Sequence, residues 1–164
     1  MTQAPQTPST RRIATNRKAS HDYFVIERLE CGIALRGTEV KAVRAGHVSL
    51  VGAFARAVDG SVFLQNMTIQ PYEFGNQFNH DPLRPRRLLL HHREITRLES
   101  QTSQKGLTLI PLSVYMKRGF VKIELGLCRG KRQSDKRETL KRKTAERETN
   151  RAIAGGKWHR RTIH

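Results

Sequence analysis

The large apolar side chains of this 164-residue chain lie almost entirely between residues 21 and 128. Only this stretch can bury enough apolar surface to offset the conformational entropy that a chain loses on folding. It carries 14 basic and 10 acidic side chains, a nearly balanced set, and its length suits one compact domain. We therefore expect one folded body with an appendage at each end.

Both appendages are basic. Residues 1–20 have four basic side chains and no acidic one, and residues 129–164 have 13 basic and 4 acidic ones. The chain has a net charge of +17, which indicates a polyanionic partner. No apolar run approaches the ~20 residues of a membrane-spanning helix, so nucleic acid is favoured over a membrane. We predict a disordered N-terminus over residues 1–12, a folded body over 13–128 and a separate basic tail over 129–164.

The two cysteines, Cys31 and Cys128, are far apart in the sequence. Zinc modules and Cys-x-x-Cys redox sites need closely spaced cysteines, so we interpret these two as buried core thiols. The start of the chain lacks the apolar core of an export signal, and we expect a cytoplasmic protein. No metal and no cofactor are predicted.

Two hairpins are predicted in the body. Asp59-Gly60 suits a tight turn between two strands, and Lys117-Arg118-Gly119 separates two segments in which apolar and polar residues alternate. The four strands are expected at residues 53–58, 61–69, 107–116 and 120–127.

Two short helices are also predicted. Thr38 is a candidate N-cap for a helix over residues 39–45 that Gly46 ends. Apolar positions between residues 88 and 103 have helical spacing, and Gly106 follows them. The segment between these helices, residues 71–86, has three prolines and is expected to be a long loop.

Residues 23–35 are rich in aromatic and aliphatic side chains and predict a further strand, with a bend or bulge near Gly32. Many short strands in a small body favour a closed barrel, because closure leaves few strand edges exposed. The predicted fold is mainly β, an OB-like β-barrel with two or three short helices.

The tail is predicted to be disordered or conditionally helical. Glu138, Arg142 and Glu146 follow one another at the four-residue spacing that favours a helix. Lys143 and Arg147 repel each other at the same spacing, and a helix that is polar on every face has no core to pack on. We expect it to become ordered on RNA, where phosphates remove this repulsion.

Catalytic groups are sparse. His21-Asp22 and His80-Asp81 are adjacent pairs whose side chains would diverge on an extended chain, so neither is expected to form a His–carboxylate pair by itself. A joint metal or hydrolytic site across the fold is the minority hypothesis. Phosphate-binding glycine loops and dinucleotide fingerprints are absent from the sequence. We predict a binding protein with no catalytic residues.

Four blocks of the sequence resemble the SmpB family of tmRNA-binding proteins, and together they extend from about residue 12 to residue 153. The blocks are NRKASHDYF (16–24), GTEVKAVRAG (37–46), NQFNHDPLRPRRLLLHHREI (76–95) and KGLTLIPLSVYMKRGFVKIELGLCRGKRQSDKRE (105–138). The resemblance implies an oligonucleotide-binding barrel that grips the tRNA-like domain of tmRNA. It also implies a tail that enters the empty mRNA channel of a stalled ribosome as a helix.

The same resemblance implies which residues contact RNA. On the body they are Asn16, Arg17, Lys18, His21, Glu30, Leu89 and Lys122. In the tail, contacts with the ribosome near the decoding region of the small subunit are implied for Lys131, Arg132, Asp135, Lys136 and Arg137. Many relatives have His or an aromatic residue, which can stack on a base, where this chain has Ser134, and the sequence leaves the effect of this difference open. Trp158, among cations near the end of the chain, is either a stacking residue or incidental.

The predicted function is therefore non-catalytic RNA binding that brings tmRNA to stalled ribosomes for trans-translation, with elongation factor Tu as an indirect partner through tmRNA. We expect the protein to act as a monomer. The alternative is a general RNA-binding or ribosome-associated, chaperone-like protein, which would have the same composition and barrel but bind many RNAs. A His/Asp-based RNA-processing enzyme is a third hypothesis, and it predicts metal-dependent cleavage.

Overall fold

The computed structural model describes residues 10–73, 80–104 and 106–158. Within them, nine strands and four helices follow one another along the chain. They are β1 (Arg11–Thr15), α1 (Arg17–Asp22), β2 (Tyr23–Ile33), α2 (Gly37–Arg44), β3 (Val48–Ser49), β4 (Phe54–Val58), β5 (Ser61–Gln65), β6 (Thr68–Ile69), β7 (Arg86–Leu89), α3 (His92–Gln104), β8 (Thr108–Lys117), β9 (Phe120–Gly130) and α4 (Gln133–Trp158).

Six antiparallel strands close into a ring in the order β8, β4, β5, β7, β2 and β9, and β9 pairs again with β8. Closure between β4 and β8 rests on the pair of Ala55 and Leu109, and β1 pairs with the remainder of that edge of β8. The short strands β3 and β6 form a separate pair. This closed sheet with short helices confirms the predicted fold class, a mainly β, OB-like barrel.

Both predicted hairpins are present. In the first, β4 and β5 pair on either side of Asp59 and Gly60, whose φ angles are 50° and 69°. In the second, β8 and β9 pair on either side of Arg118 and Gly119, with φ angles of 51° and 81°. Two successive positive φ angles match the twist of paired strands, so both hairpin turns follow from local sequence.

The core lies inside the barrel, where alternate side chains of the strands meet. Leu64, Leu88, Leu125 and Ile123 are almost completely buried there. Helix α2 adds Ala42 and Val43, and α3 adds Ile95 and Leu98, to the same cluster. A second, smaller cluster lies under α1, where Ala19 packs against Ile110, Leu112 and Cys128.

Both cysteines are buried, as predicted. Burial raises the pKa of the Cys31 thiol to about 12 and that of Cys128 to about 11. Each thiol therefore stays protonated near neutral pH.

Strand β7 was not predicted, because the segment before α3 is rich in proline and one of the two core-facing positions of the strand is Arg86 rather than an apolar residue. The guanidinium of Arg86 is fully buried, and its Nε donates to Glu39 Oε1 at 2.9 Å. A buried charge is tolerated when it is paired and hydrogen-bonded. The Glu39 carboxylate therefore allows an arginine to take a core position in a strand.

The predictions for the start of α2 and for the bulge in β2 were wrong. Helix α2 begins two residues early, with Arg36 as N-cap in place of Thr38, and Glu39 Oε2 accepts a hydrogen bond from the Arg36 backbone N–H at 2.9 Å. The bulge in β2 lies between Val25 and Glu27, not near Gly32. Gly32 instead permits close approach of β7, because a Cβ there would lie 3.1 Å from the Cβ of Leu89.

The N-terminal boundary also differs from the predicted one. Strand β1 begins at Arg11, within the segment predicted to be disordered, and pairs with β8. The rest of that segment, residues 1–9, lies outside the described residues.

The chain divides into two compact units after Gly130. The second unit contains α4, and its described side chains over residues 140–153 are all exposed. The segment that was predicted to be conditionally helical is thus a helix in the structure. That its helical form depends on RNA stays a prediction.

Candidate nucleic-acid interface

A polar face covers the outer surface of five neighbouring strands. One cross-strand row runs from Leu89 on β7 through Gly32 on β2, Lys122 on β9 and Tyr115 on β8 to Arg12 on β1. The residues between these positions on β2, β8 and β9 point into the core, as the two-residue period of a strand requires. The barrel thereby places side chains from five segments of the sequence in one line.

A second row, two residues along the strands, contains Glu30 on β2, Glu124 on β9 and Ser113 on β8. We use the term polar face for these two rows together with Lys117 and Arg28. A groove of about 290 Å³ lies on this face. Its lining includes Arg12, Arg28, Glu30, Tyr115, Lys117 and Glu124.

Glu30 is held in one orientation by its neighbours on β8. The Tyr115 hydroxyl donates to Glu30 Oε2 at 2.6 Å, and the Lys117 ammonium donates to Oε1 and Oε2 at 3.1 and 2.9 Å. The Tyr115 hydrogen bond, followed by that of Lys117, lowers the pKa of Glu30. Burial and the bond to Glu30 raise the pKa of Tyr115 well above its ordinary value. Glu30 is therefore an ionised acceptor, and Tyr115 is a neutral donor to it.

Glu124 is held in a similar way. Arg28 Nη1 donates to Glu124 Oε1 at 3.0 Å, and the Ser113 hydroxyl donates to Oε2 at 2.8 Å. Burial raises the pKa of Glu124, but the bonds from Arg28 and Ser113 outweigh it, and the net shift is downward. The face thus presents two fixed carboxylates among cations. Such carboxylates repel phosphate but accept hydrogen bonds from base amino groups and from 2′-hydroxyls.

Three of the residues implied to contact RNA meet on this face. Leu89 is 53% exposed and lies beside Gly32, so it is available for contact rather than part of the core. Lys122 lies directly opposite Gly32 and lowers the pKa of Glu30 through its charge. Leu89, Lys122 and Glu30 therefore form one continuous patch.

The other four body residues lie on or before α1. Arg17 and Lys18 are exposed. Helix α1 packs over Ile110, which is three residues from Ser113 and so about 10 Å further along β8. Helix α1 and the polar face therefore both lie on the outer surface of β8, at separate positions along the strand.

Asn16 has a structural role in this arrangement. Its side-chain oxygen caps α1 by accepting from the Ala19 backbone N–H at 3.2 Å. Its amide nitrogen donates to the carbonyl oxygens of Pro111 at 3.0 Å and Leu50 at 3.3 Å. Asn16 is buried, and its side chain is used within the fold. Direct RNA contact by Asn16 stays a prediction.

His21 and Asp22 were wrongly expected to diverge. Their side chains meet, with His21 Nδ1 2.9 Å from Asp22 Oδ1. The expectation assumed an extended chain, whereas the two residues end helix α1. The second pair does not join them, since His80 Nδ1 contacts Arg36 Nη1 at 3.3 Å and Asp81 Oδ1 accepts from the Leu83 backbone N–H at 2.9 Å.

The predicted tail residues surround the start of α4. Asp135 Oδ2 accepts from the Arg132 backbone N–H at 3.0 Å, and this hydrogen bond holds the residue just before the helix in place. Lys131 Nζ donates to Thr139 Oγ1 at 3.4 Å, and Arg137 is exposed. Asp135 is thus part of the helix start, and the basic residues around it provide positive charge. Trp158 is the last residue of α4, and the residues after it lie outside the described part of the chain.

Tyr115, Lys117, Arg12 and Arg28 were not among the predicted site residues. Strand alternation on β8 places Tyr115 and Lys117 on one face, but only the pairing of β8 with β9, and of β9 with β2, shows that this face holds Glu30. Among the described residues, no three His, Cys, Asp or Glu side chains are placed to hold a metal ion. No helix in the described ranges is long and apolar enough to cross a membrane.

Comparison with known proteins gives consistent results. The sequence profile of the SmpB protein family matches residues 13–155. An SsrA-binding protein from Bacillus cytotoxicus is 57% identical over 141 residues, which are 86% of this chain and 91% of that protein. The SsrA-binding protein of Latilactobacillus sakei is 54% identical over 149 residues, 91% of this chain and 95% of the relative.

A solved structure described as "tmRNA-SmpB: a journey to the center of the bacterial ribosome" is similar in fold. Its sequence is 51% identical to this chain at a TM-score of 0.63, and the match covers 77% of this chain and 93% of the other. The profile, the relatives and the structure all match across most of the chain's length. The chain therefore belongs to the SmpB protein family.

Proposed function

We propose that this protein is a non-catalytic RNA-binding factor that binds the tRNA-like domain of tmRNA and brings it to stalled ribosomes for trans-translation. The polar face is the main observation that supports this proposal. It combines Lys122, suited to a phosphate, with Glu30, an oriented acceptor for sugar or base donors. The SsrA-binding relatives and the tmRNA-SmpB structure support the identity of the RNA.

Glu30 provides the selective part of the interaction. A lysine binds any phosphate, so cations alone give affinity without sequence information. A fixed carboxylate admits only RNA that places a donor at that point, because a misplaced phosphate would be repelled. Leu89, exposed beside Lys122, offers an apolar contact to an unstacked base. Together the three residues favour RNA of one shape.

We assign a different role to the tail. Its first basic residues, Lys131, Arg132, Lys136 and Arg137, contact ribosomal RNA near the small-subunit decoding region, and α4 follows the mRNA channel. The exposed side chains of α4 over residues 140–153 support this, because a helix without an apolar face is suited to a highly charged surface. The protein acts as a monomer in the cytoplasm and meets elongation factor Tu only through tmRNA.

General RNA binding is the second candidate, and the net charge of +17 favours it. A competition binding experiment distinguishes specific tmRNA binding from general RNA binding. The protein is titrated onto the tRNA-like domain of tmRNA in excess bulk tRNA at about 0.15 M salt, where surface charge is screened beyond about 8 Å. Preference for tmRNA supports the proposal, and Glu30→Gln should reduce this preference while Glu27→Gln leaves it unchanged. Equal binding of both RNAs favours the general RNA-binding protein.

A further inference from the structure

Phe120, the first residue of β9, has 70% of its surface exposed, the largest exposed fraction of any large apolar side chain in the described residues. It lies on the same side of β9 as Lys122 and Glu124, because the intervening residues Val121 and Ile123 are buried. The polar face thus ends in an uncovered aromatic ring. Single exposed apolar side chains are common on protein surfaces, so the groups around this ring decide whether a ligand covers it.

The backbone at Phe120 is held in place by its surroundings. It pairs directly with Lys117 on β8, across the two-residue turn of Arg118 and Gly119 with its two positive φ angles. Arg44 Nη2 on α2 donates to the Gly119 carbonyl oxygen at 3.4 Å. The backbone that carries the ring therefore belongs to a tight hairpin bonded to a neighbouring helix, and this backbone need not become ordered when a ligand binds.

The groups around Phe120 indicate what binds there. Lys117 is its cross-strand partner, Arg118 precedes it by two residues and Lys122 follows by two. The core of a protein-docking patch is depleted in charge, whereas this ring is flanked by cations. Cations that follow a phosphate backbone, beside an aromatic ring on which a base stacks, are the combination that binds unpaired nucleic acid.

We infer that Phe120 is a stacking platform for one unstacked base of the RNA that lies across the polar face. The inference rests on the proposed function and adds a contact to it. A phosphate backbone held by Lys122 and Lys117 would bring a neighbouring base to the hairpin tip. The ring accepts any base, since every base has a π face, so Phe120 contributes affinity and Glu30 contributes selectivity.

The test compares the full-length wild type with Phe120→Ala, Phe120→Tyr and a control, Val51→Ala, whose side chain is 68% exposed on another part of the body. Each is titrated onto the tRNA-like domain of tmRNA over a range of salt concentrations, with a fluorescent base analogue placed at each loop position in turn. Phe120→Ala should weaken binding by about 5- to 150-fold, the effect of losing one base stack. Phe120→Tyr and Val51→Ala should bind as the wild type does.

Two further readouts identify stacking. Phe120→Ala removes no charge, so the slope of log K against log salt should stay at the wild-type value, whereas Lys122→Ala should reduce it by about 0.7–0.9. One analogue position should lose its protein-dependent signal with Phe120→Ala and keep it with Phe120→Tyr. Wild-type affinity for Phe120→Ala, or a changed salt slope, would overturn the inference. Equal binding of tmRNA and bulk tRNA by the wild type would reject the proposed specificity. The comparison of the same variants with the wild type would then still test whether Phe120 stacks on a base, with either RNA as the ligand.

Discussion

Glu39 connects segments of the body that are distant in sequence. Its Oε1 accepts from Arg86 Nε and Arg84 Nε, each at 2.9 Å, and its Oε2 accepts from the Arg36 backbone N–H and from Arg84 Nη2. Arg86 Nη1 donates in turn to the Met67 carbonyl oxygen at 2.6 Å. One carboxylate thus joins the start of α2, strand β7 and the segment between β5 and β6.

We predict that Glu39→Gln destabilises the protein by about 3–5 kcal/mol at pH 7, because it removes the charge that pairs with a buried guanidinium. Denaturant unfolding monitored by circular dichroism measures the loss. Glu27→Gln is the matched control. Glu27 pairs with Arg97 in an ion pair that is partly exposed at both ends, and such pairs contribute up to about 1 kcal/mol. Equal losses for the two variants would contradict the role given to Glu39.

The effect of Glu39 should depend on pH. Burial raises its pKa, but the hydrogen bonds from Arg84 and Arg36 and the charge of Arg86 lower it more, and the net shift is downward. A carboxylate with a lowered pKa in the folded state stabilises the fold above its unfolded pKa, about 4.3, and this contribution is lost as the pH falls through the folded value. The stability difference between wild type and Glu39→Gln should therefore be constant near neutrality and shrink in acid. A difference that grows in acid contradicts the downward shift.

At the scale of elements, local signals predicted the hairpins and α3 but not α1 or β7. Asp59-Gly60 and Arg118-Gly119 determine their turns by themselves. Helix α1 has only six residues, too few for an apolar period, although Asn16 is a typical N-cap residue that marks its start. Strand β7 depends on a distant carboxylate, and the partners of Glu30 depend on strand register. A pattern of neighbouring residues in the sequence reveals neither the carboxylate that β7 depends on nor the strand register that gives Glu30 its partners.

Helix α4 leads to a prediction about the tail. Thr144→Pro should prevent helix formation around residue 144, because proline removes a backbone donor and its ring clashes with the carbonyl of residue 140, at a cost of about 3 kcal/mol or more. We expect this variant to keep its affinity for tmRNA and the thermal stability of its body but to lose ribosome rescue. A reconstituted translation reaction on an mRNA without a stop codon measures rescue.

The matched control at this position is Thr144→Ala. It removes the γ-methyl group and the hydroxyl that donates to the Leu140 carbonyl oxygen at 3.0 Å but keeps the backbone donor, and alanine is a better helix former than threonine. Thr144→Ala should therefore rescue ribosomes as the wild type does. If Thr144→Pro does so as well, the tail acts through its charge and not as a helix.

At the scale of the whole molecule, the two units differ in what they can recognise. The body has fixed acceptors, cations and an exposed ring on a rigid barrel, so it can select RNA by shape. The tail has 12 basic and 4 acidic side chains after residue 130, and a series of exposed charges binds polyanions with little selectivity. Resemblance to the family indicated Glu30, Leu89 and Lys122, and the pairing of β7, β2 and β9 brings these three residues, far apart in the sequence, onto one face of the barrel.

A chain that ends at Gly130 should separate these roles. Gly130 is the last paired residue of β9, opposite Tyr23, so the truncation leaves the barrel complete. We expect it to retain preference for tmRNA over bulk tRNA at about 0.15 M salt, to show a smaller salt slope because it has fewer cations, and to be inactive in rescue. Added in excess to a translation reaction, it should also inhibit rescue by the full chain, because it occupies tmRNA without a tail to engage the ribosome. A large loss of tmRNA affinity on truncation, or no inhibition by a truncated chain that still binds tmRNA, would contradict this division between body and tail.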